Sequence, residues 1–259
     1  MSRDHLSKPR ATSRHPGGSG TSSVVALFAA VFVCVGLAAQ PPTSDDPDRL
    51  YANRTDLARA RRAAELWTAA LARNPKDYDA AWKLSRADYW LGGHVPEKER
   101  TAFLEDGVAR GRTAMALAPN RPEGHFWMAA NMGALAESSS RAGLKYRGAI
   151  KDELEALLRL DPAFQQGSAD RALGRWYAKV PRLLGGSTKS AEAHLRESLT
   201  YNPRSTASHF FLAELLAGDG RRQEARAELQ QVLDAPHDPE WDPEDQEFKA
   251  KARSALVTR

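Results

Sequence analysis

The sequence lacks the residues on which several classes of protein depend. Cys34 is the only cysteine among 259 residues, which excludes an intramolecular disulfide. No phosphate-binding glycine loop and no hydrolase motif is present, and no two histidines stand four residues apart as helical metal ligands do. Val and Ile are scarce beyond residue 39, so strands are not expected. We therefore expect a protein that is not an enzyme and that holds no metal or cofactor.

The excess of positive charge is small and lies at the N-terminus. The formal net charge is +4, from 37 basic and 33 acidic residues. Four of the basic residues and one acidic residue fall within positions 1–39, so 33 and 32 remain beyond them. A nucleic-acid-binding surface needs clustered positive charge, and this balance argues against one.

One uncharged apolar run is present, at Val24–Ala39. Its sixteen residues fall short of the roughly 20 that span a bilayer, and small residues and Pro41 follow, as in a secretory signal peptide. Residues 1–39 are predicted to be a signal peptide or a membrane anchor, and the protein to be exported to the periplasm or cell envelope. Lipidation at Cys34 is a weaker alternative because Val33, directly before it, is not small. Cleavage, a retained anchor and lipidation all remain open.

The remainder of the chain reads as a linker followed by helices. Residues 40–54 begin with several prolines and acidic residues and are predicted to be a linker. From residue 55 to 259, apolar positions recur every three or four residues and Ala, Leu, Arg and Glu dominate. This composition predicts an all-α domain.

Prolines divide this domain into repeats. Helix-ending turns recur at Pro75, Pro119, Pro162, Pro203 and Pro236, at spacings of 44, 43, 41 and 33 residues. A tetratricopeptide repeat has about 34 residues in two packed helices. We predict a degenerate tetratricopeptide-like solenoid or bundle of about ten helices.

The extra residues of the longer repeats fall between the two helices of a hairpin, in stretches 91–105, 134–148 and 175–189. Equivalent positions in a solenoid share an edge, so these stretches are predicted to form loops on one binding rim. Core packing of the tryptophans and helix termination by the glycines are the alternatives. The candidate residues for binding a partner or ligand are Trp90, Gly92, Gly93, Trp127, Asn131, Trp176, Tyr177, Pro181, Gly185 and Gly186.

The sequence also resembles a known family. The segment AIKDELEALLRLDPAFQQGSADRALGRWYAKVPRLLGGSTKSAEAHLRESLTYNP is similar to the T-component proteins of tripartite ATP-independent periplasmic (TRAP) transporters, and LGRWYAKVPRLLGGS is its most specific part. The resemblance implies an exported bundle of tetratricopeptide hairpins with a pore or cleft. It also implies association with a periplasmic solute-binding subunit and delivery of a small, hydrophobic ligand. A more distant resemblance is to eukaryotic microtubule-regulating tetratricopeptide proteins.

The expected function is thus an exported scaffold that binds a solute-receptor protein and a small ligand. A cell-envelope adaptor without a transport role, and a small-molecule-binding protein acting alone, are the alternatives. Contact with the membrane is expected only through the N-terminal segment, and a homo-oligomer is left open.

Overall fold

A computed structural model describes residues 46–257, and every regular element in that range is helical. The prediction of an all-α protein is confirmed, with eleven α-helices among the described residues. They are α1 (Pro47–Ala52), α2 (Leu57–Arg73), α3 (Tyr78–His94), α4 (Glu97–Leu117), α5 (Pro122–Ser138), α6 (Ser140–Leu160), α7 (Ser168–Lys179), α8 (Thr188–Tyr201), α9 (Thr206–Gly218), α10 (Arg222–Asp234) and α11 (Asp242–Val257). A short 3-10 turn, Arg182–Leu184, lies between α7 and α8.

Acidic and hydroxyl side chains start six of the helices. Each accepts a hydrogen bond from a first-turn backbone amide that would otherwise lack a partner. The six caps are Asp46, Asp56, Asp77, Ser139, Ser187 and Ser205. All five predicted proline turns also end helices, since the residue before each proline closes a helix: Asn74 ends α2, Ala118 ends α4, Asp161 ends α6, Asn202 ends α8 and Ala235 ends α10. The local sequence therefore determines where most helices begin and end.

Four helical hairpins form the body of the domain: α3–α4, α5–α6, α7–α8 and α9–α10. Helix α2 packs before the first hairpin and α11 after the last. Small residues permit close approach, and Gly107 of α4 shows this most clearly, because an added Cβ would collide with the side chain of Asn131 on α5. The bulkier Ile150 and Leu157 of α6 are also buried, so the second hairpin contains larger side chains at its contact.

Two hairpins repeat the same histidine contact. In each, a histidine on the first helix lies between a proline carbonyl of the preceding turn and a glutamate of the second helix. The two sets are Pro119, His125 and Glu153, and Pro203, His209 and Glu228. The ring nitrogens lie 2.6 Å from the carboxylate and 2.9 or 3.0 Å from the carbonyl. The histidine-to-glutamate separation is 28 residues in one set and 19 in the other, which places the additional residues between the two helices of the hairpin.

Two of the three stretches predicted as loops are helical, and the prediction is wrong there. Only residues 95 and 96 interrupt the helices in stretch 91–105, and only residue 139 interrupts them in stretch 134–148. The extra residues lengthen the helices, so α4 and α6 have 21 residues each. Helix-forming residues dominate both stretches, and a longer helix buries more apolar surface than a loop does.

The third stretch is different, because it contains the irregular segment 180–187. Leu104, Leu135 and Trp176, one from each stretch, belong to the same buried hydrophobic cluster. The three stretches do come together, but these side chains are in the core.

Part of the predicted linker is folded. Residues 47–52 form α1, Tyr51 is buried in the first hydrophobic cluster and Arg54 is 6% exposed. The acidic cap Asp46 and the apolar side chains Leu50 and Tyr51 explain why this short helix forms and packs. The folded domain thus begins by residue 46. The signal peptide or anchor predicted at residues 1–39 lies outside the described residues.

Candidate functional site

The two ends of the helical array meet. Arg54, which follows α1, donates from Nε to Oε1 of Glu244 on α11 at 3.1 Å and pairs with the second carboxylate oxygen through Nη2. On α3, Nε2 of His94 lies 2.6 Å from Oε1 of Glu247. We call these four residues the closure. Helices α3, α5, α7, α9 and α11 also contact one another in that order. Because the closure joins α3 to α11, these five helices form the inner layer of a ring.

Trp90, a predicted binding residue, packs within the closure. It is 4% exposed, and its Nε1 donates to the carbonyl of Arg54 at 2.8 Å. Its ring stacks on His94 with 3.7 Å between centroids, and the Arg54 guanidinium lies 5.1 Å from the ring. Trp90 thus makes packing contacts that support two of the closure residues, Arg54 and His94.

Tyr89, the neighbour of Trp90, lies on inner helix α3 and is partly exposed. Its side chain is 40% exposed, yet burial raises the pKa of its hydroxyl. The charges of Glu137 on α5, Arg171 and Arg175 on α7, and Glu244 on α11 all act on that hydroxyl. Because Tyr89 touches solvent although charged residues of α5, α7 and α11 act on it, we infer that it borders an opening inside the ring. We call the space bounded by Tyr89, Glu137, Arg171 and Arg175 the central opening.

Arg175 ties three inner helices together beside the central opening. It donates from Nε and Nη2 to the two oxygens of Glu137 at 2.7 and 3.1 Å, and from Nη1 to Glu214 of α9 at 3.3 Å. Its guanidinium also lies 4.3 Å from the ring of Phe211. Burial alone would lower the pKa of Arg175, but the hydrogen bonds and charges of the two glutamates outweigh it and the net shift is upward. The positive charge of Arg175 is therefore balanced by the carboxylates of Glu137 and Glu214.

Arg171 lies one turn before Arg175 on the same face of α7. Within residues 46–257 it makes no hydrogen bond or ion pair. Burial lowers the pKa of its guanidinium to about 10, opposed only by the nearby Tyr89 hydroxyl. Arginine remains charged at neutral pH. Arg171 is therefore a half-buried cation without an ion pair among residues 46–257.

Two predicted residues of α5 lie behind Tyr89. Trp127 is 6% exposed, its ring centroid lies 5.8 Å from that of Tyr89, and its Nε1 has no acceptor among the described residues. Asn131 is fully buried and donates to the carbonyls of Ser85 and Trp127 at 3.0 and 2.8 Å. Asn131 therefore joins α3 to α5, whereas Trp127 packs behind Tyr89.

The aromatic pair at the end of α7 packs against two different helices. Trp176 is 9% exposed, and its Nε1 donates to the carbonyl of Arg147 on α6 at 3.0 Å. Tyr177 is half-buried and stacks on His194 of α8, with 5.4 Å between centroids and an interplanar angle of 7°. The structure places both residues in helix contacts.

The predicted glycines separate into buried and exposed positions. Gly92 is buried where α3 touches α4, because a Cβ there would lie 2.5 Å from Leu104, whereas Gly93 is exposed. In the loop, Gly185 adopts φ +106°, and the Gly186 amide donates to the Pro181 carbonyl at 3.1 Å. Turn formation, the alternative for the loop glycines, is what the structure shows.

The segment 180–187, which we call the loop, is exposed at its tip. Leu183 is 99% exposed and Leu184 39%. Two connected clefts of about 770 and 330 Å³ border it, sharing Arg182, Thr188 and Asp219. The smaller cleft also includes Arg175, Phe211 and Glu214, and so leads from the loop toward the central opening.

Comparison with known proteins identifies this architecture. The family model of the TRAP transporter T-component matches residues 123–253. The chain belongs to the TRAP transporter T-component family. A second family model, regulator of microtubule dynamics protein 1-3, matches residues 44–185 and overlaps the first. No curated protein matches this T-component chain significantly.

A solved structure confirms the tetratricopeptide fold of this T-component. The crystal structure of a thermophilic TPR protein from Thermus thermophilus is similar at a TM-score of 0.62 and 24% identity, covering 82% of this chain and 97% of that one. A crystal structure of MamA matches at a TM-score of 0.47 and 14% identity, covering 77% of this chain and 95% of that one.

Of the residues around the central opening of this T-component, Trp127 is among the ten candidates predicted from the sequence, whereas Tyr89 and the charged residues are not. Arg171, Arg175, Glu137 and Glu214 all lie on first helices of hairpins, on the face turned inward. The four-residue spacing of Arg171 and Arg175 was the available signal. Within residues 46–257 no group of three or more His, Cys, Asp or Glu side chains could hold a metal ion. No helix between Pro47 and Val257 is long and apolar enough to cross a bilayer.

Proposed function

We propose that the protein is an exported, non-enzymatic T-component that takes a small ligand into its central opening and docks a periplasmic solute-binding protein at the loop. The family assignment supports a role in a TRAP system. Export is directed by the apolar run Val24–Ala39, which lies outside the described residues.

The observation that carries the docking proposal is the 99% exposure of Leu183 on an ordered loop. The amides of Leu184 and Gly186 both donate to the Pro181 carbonyl, at 2.8 and 3.1 Å, and the Ser187 amide donates to the Tyr177 carbonyl at 3.0 Å. An apolar side chain held outward by an ordered backbone can be buried against another surface at little cost in backbone ordering. Arg182 and Lys189 beside it add positive charge, which suits a partner with an apolar spot and an acidic rim.

The central opening supports the ligand proposal. Tyr89 and Trp127 supply aromatic surface, and Arg171 supplies a charge. The smaller cleft connects this space to the loop. A ligand handed over by a protein bound at the loop would therefore have a route inward.

The test is co-purification from a strain that encodes both this protein and a TRAP solute-binding protein, each at native level. Recovery of the solute-binding protein with the tagged chain supports the proposal, and its absence after crosslinking contradicts it. The N-terminal mass of the mature protein, measured in the same preparation, tests export: a full-length cytoplasmic chain would contradict that part.

An adaptor without a transport role is the second candidate, favoured by the match of residues 44–185 to regulator of microtubule dynamics protein 1-3. The same co-purification distinguishes the two. An adaptor would bring down envelope proteins that are not solute receptors, and would retain them when the solute-binding gene is deleted.

A further inference from the structure

We propose that the two connected clefts beside the loop form one groove that binds an acidic segment of the docking protein, and that Lys179, Arg182 and Lys189 recognise its carboxylates. We call the two clefts together the loop groove. The inference deepens the proposed function, because it states the chemistry by which the partner is recognised. It rests on that function only for the identity of the protein that carries the segment.

The loop groove lies between the loop, α8 and the end of α9. Its clefts, of about 770 and 330 Å³, share Arg182, Thr188 and Asp219 and are therefore continuous. Lys189 borders the larger cleft and Lys179 the smaller one. Because Arg182 borders both, each cleft has two of the three cations beside it. Two joined clefts suit an extended chain, which can occupy both at once.

The three cations of the loop groove are free to bind a ligand. Lys179, Arg182 and Lys189 are exposed and make no ion pair with any residue between 46 and 257. The other charged side chains that line the groove form two ion pairs, at 3.3 and 2.7 Å, and leave one carboxylate over: Arg175–Glu214, Arg196–Glu192 and Asp219. The groove therefore has an excess of positive charge, and a cleft focuses such a field on an approaching anion.

Positive charge is also concentrated in the part of the chain that carries the loop. Residues 171–191 include five basic and no acidic residues, and residues 138–151 include four basic and none that are acidic. The two stretches touch, since Nε1 of Trp176 donates to the Arg147 carbonyl at 3.0 Å. The rest of residues 46–257 includes 23 basic and 31 acidic residues. A domain whose charges almost cancel thus carries its positive charge in one region, which attracts an acidic partner and repels a basic one.

Apolar side chains line the smaller cleft. Phe211 and Leu215 are partly buried against the hydrophobic cluster that contains Leu195, and all three border the cleft. An acidic segment with an apolar residue between its carboxylates would use both parts of this lining. Its apolar side chain would lie on Phe211 and Leu215, and its carboxylates would pair with the cations.

The test uses two fluorescein-labelled octapeptides, measured by fluorescence anisotropy on the purified protein. One has leucine at its third and sixth positions and glutamate elsewhere, and the other has glutamine in place of every glutamate. The glutamate peptide is expected to bind at least about tenfold more tightly than the glutamine peptide. Its affinity should fall at least about fivefold from about 50 to about 300 mM NaCl, because salt screens exposed charges.

Three results of these measurements would overturn the inference. The first is equal affinity for the two peptides, and the second is an affinity for the glutamate peptide that does not change with salt. The third is tighter binding of a labelled oligothymidylate of twelve nucleotides, which would make the positive region a nucleic-acid site.

Removing the three cations tests their role. The triple variant Lys179→Gln, Arg182→Gln and Lys189→Gln is expected to bind the glutamate peptide at least about tenfold more weakly than the wild type. Its thermal unfolding should match that of the wild type, because no ion pair among the described residues is broken. A triple variant that keeps the wild-type affinity would overturn the inference.

The matched control removes three other exposed arginines that have no ion pair between residues 46 and 257: Arg112→Gln, Arg204→Gln and Arg226→Gln combined. It changes the net charge by the same amount and is expected to keep peptide affinity near that of the wild type. An equal loss in both triple variants would show that only net charge matters, and would overturn the assignment to the loop groove.

Ala193→Trp separates a groove from a diffuse positive surface. Ala193 is exposed and borders the larger cleft, so an indole there would fill the groove without changing any charge. Affinity for the glutamate peptide is expected to fall at least about fivefold. Ala227→Trp, at an exposed position on α10, is the control and should bind as the wild type does. Unchanged binding by Ala193→Trp would contradict the groove.

The peptide measurements need no solute-binding protein, so they are independent of the proposed function. Equal recovery of the solute-binding protein by the wild type and by the triple variant of the loop groove refutes this inference alone. Peptide binding as expected, without recovery of the solute-binding protein, refutes only the identity of the partner.

Discussion

Trp176 and Leu183 are seven residues apart in one stretch, yet they lie in opposite environments. Trp176 ends α7 in the core, where its ring contacts a buried cluster and its Nε1 is bonded to α6. Leu183, at the tip of the loop, is 99% exposed. The stretch that looked like one binding edge is therefore a buried joint followed by an exposed tip. The same division separates Trp90, buried in the closure, from its exposed neighbour Tyr89.

The largest change in stability is expected at Trp176, the buried joint of the stretch. Trp176→Ala should destabilise the protein by about 3–5 kcal/mol, because it leaves a large cavity and removes a hydrogen bond to the Arg147 carbonyl. Chemical denaturation followed by circular dichroism measures this. Trp82→Ala is the matched control, because Trp82 is only half-buried and should cost clearly less. If the two variants lose the same free energy of unfolding, Trp176 is no more important to the core than a half-buried surface tryptophan.

A smaller change in stability is expected at the closure, and its size depends on pH. Burial lowers the pKa of His94, but its hydrogen bonds to Glu247 and to the Trp90 carbonyl outweigh this and raise it overall. The stabilisation is therefore complete below the unfolded-state pKa of about 6.5 and is lost as pH rises through the folded-state pKa. The hydrogen bond to His94 lowers the pKa of Glu247, so that residue's contribution is lost as pH falls through its own folded-state pKa.

His94→Gln tests the closure directly. The variant should be less stable than the wild type by no more than about 1 kcal/mol near pH 6, because both side chains are partly exposed to solvent. The difference should be smaller at pH 9, because the imidazole of the wild type loses its charge as pH rises through the folded-state pKa. Urea denaturation at both pH values measures it, and a difference that grows with pH would contradict the assigned charge state. His237→Gln is the control, since His237 lies outside the ring contacts and is largely exposed.

The sequence predicted the architecture well and the site only in part. Turn prolines and small residues at repeat positions are local signals, so the hairpins and most helix ends could be located from Pro75, Pro119, Pro162 and Pro203. Length differences between repeats are ambiguous, because extra residues extend a helix as readily as they form a loop, which is how stretches 91–105 and 134–148 were misread. The closure and the central opening depend on contacts between residues up to 190 positions apart, and no local pattern encodes those.

The smallest change in stability is expected at the loop tip. Leu183→Ser should alter the free energy of unfolding by less than about 0.5 kcal/mol, because the side chain touches almost no protein. It should nevertheless reduce recovery of the solute-binding partner in the co-purification. Leu144→Ser, at a side chain 65% exposed on α6, is the matched control and should leave recovery unchanged. If both variants bind the partner as the wild type does, the loop is not the docking surface. If Leu183→Ser also lowers stability by as much as Trp176→Ala, the stretch is one packed unit and the comparison between joint and tip fails.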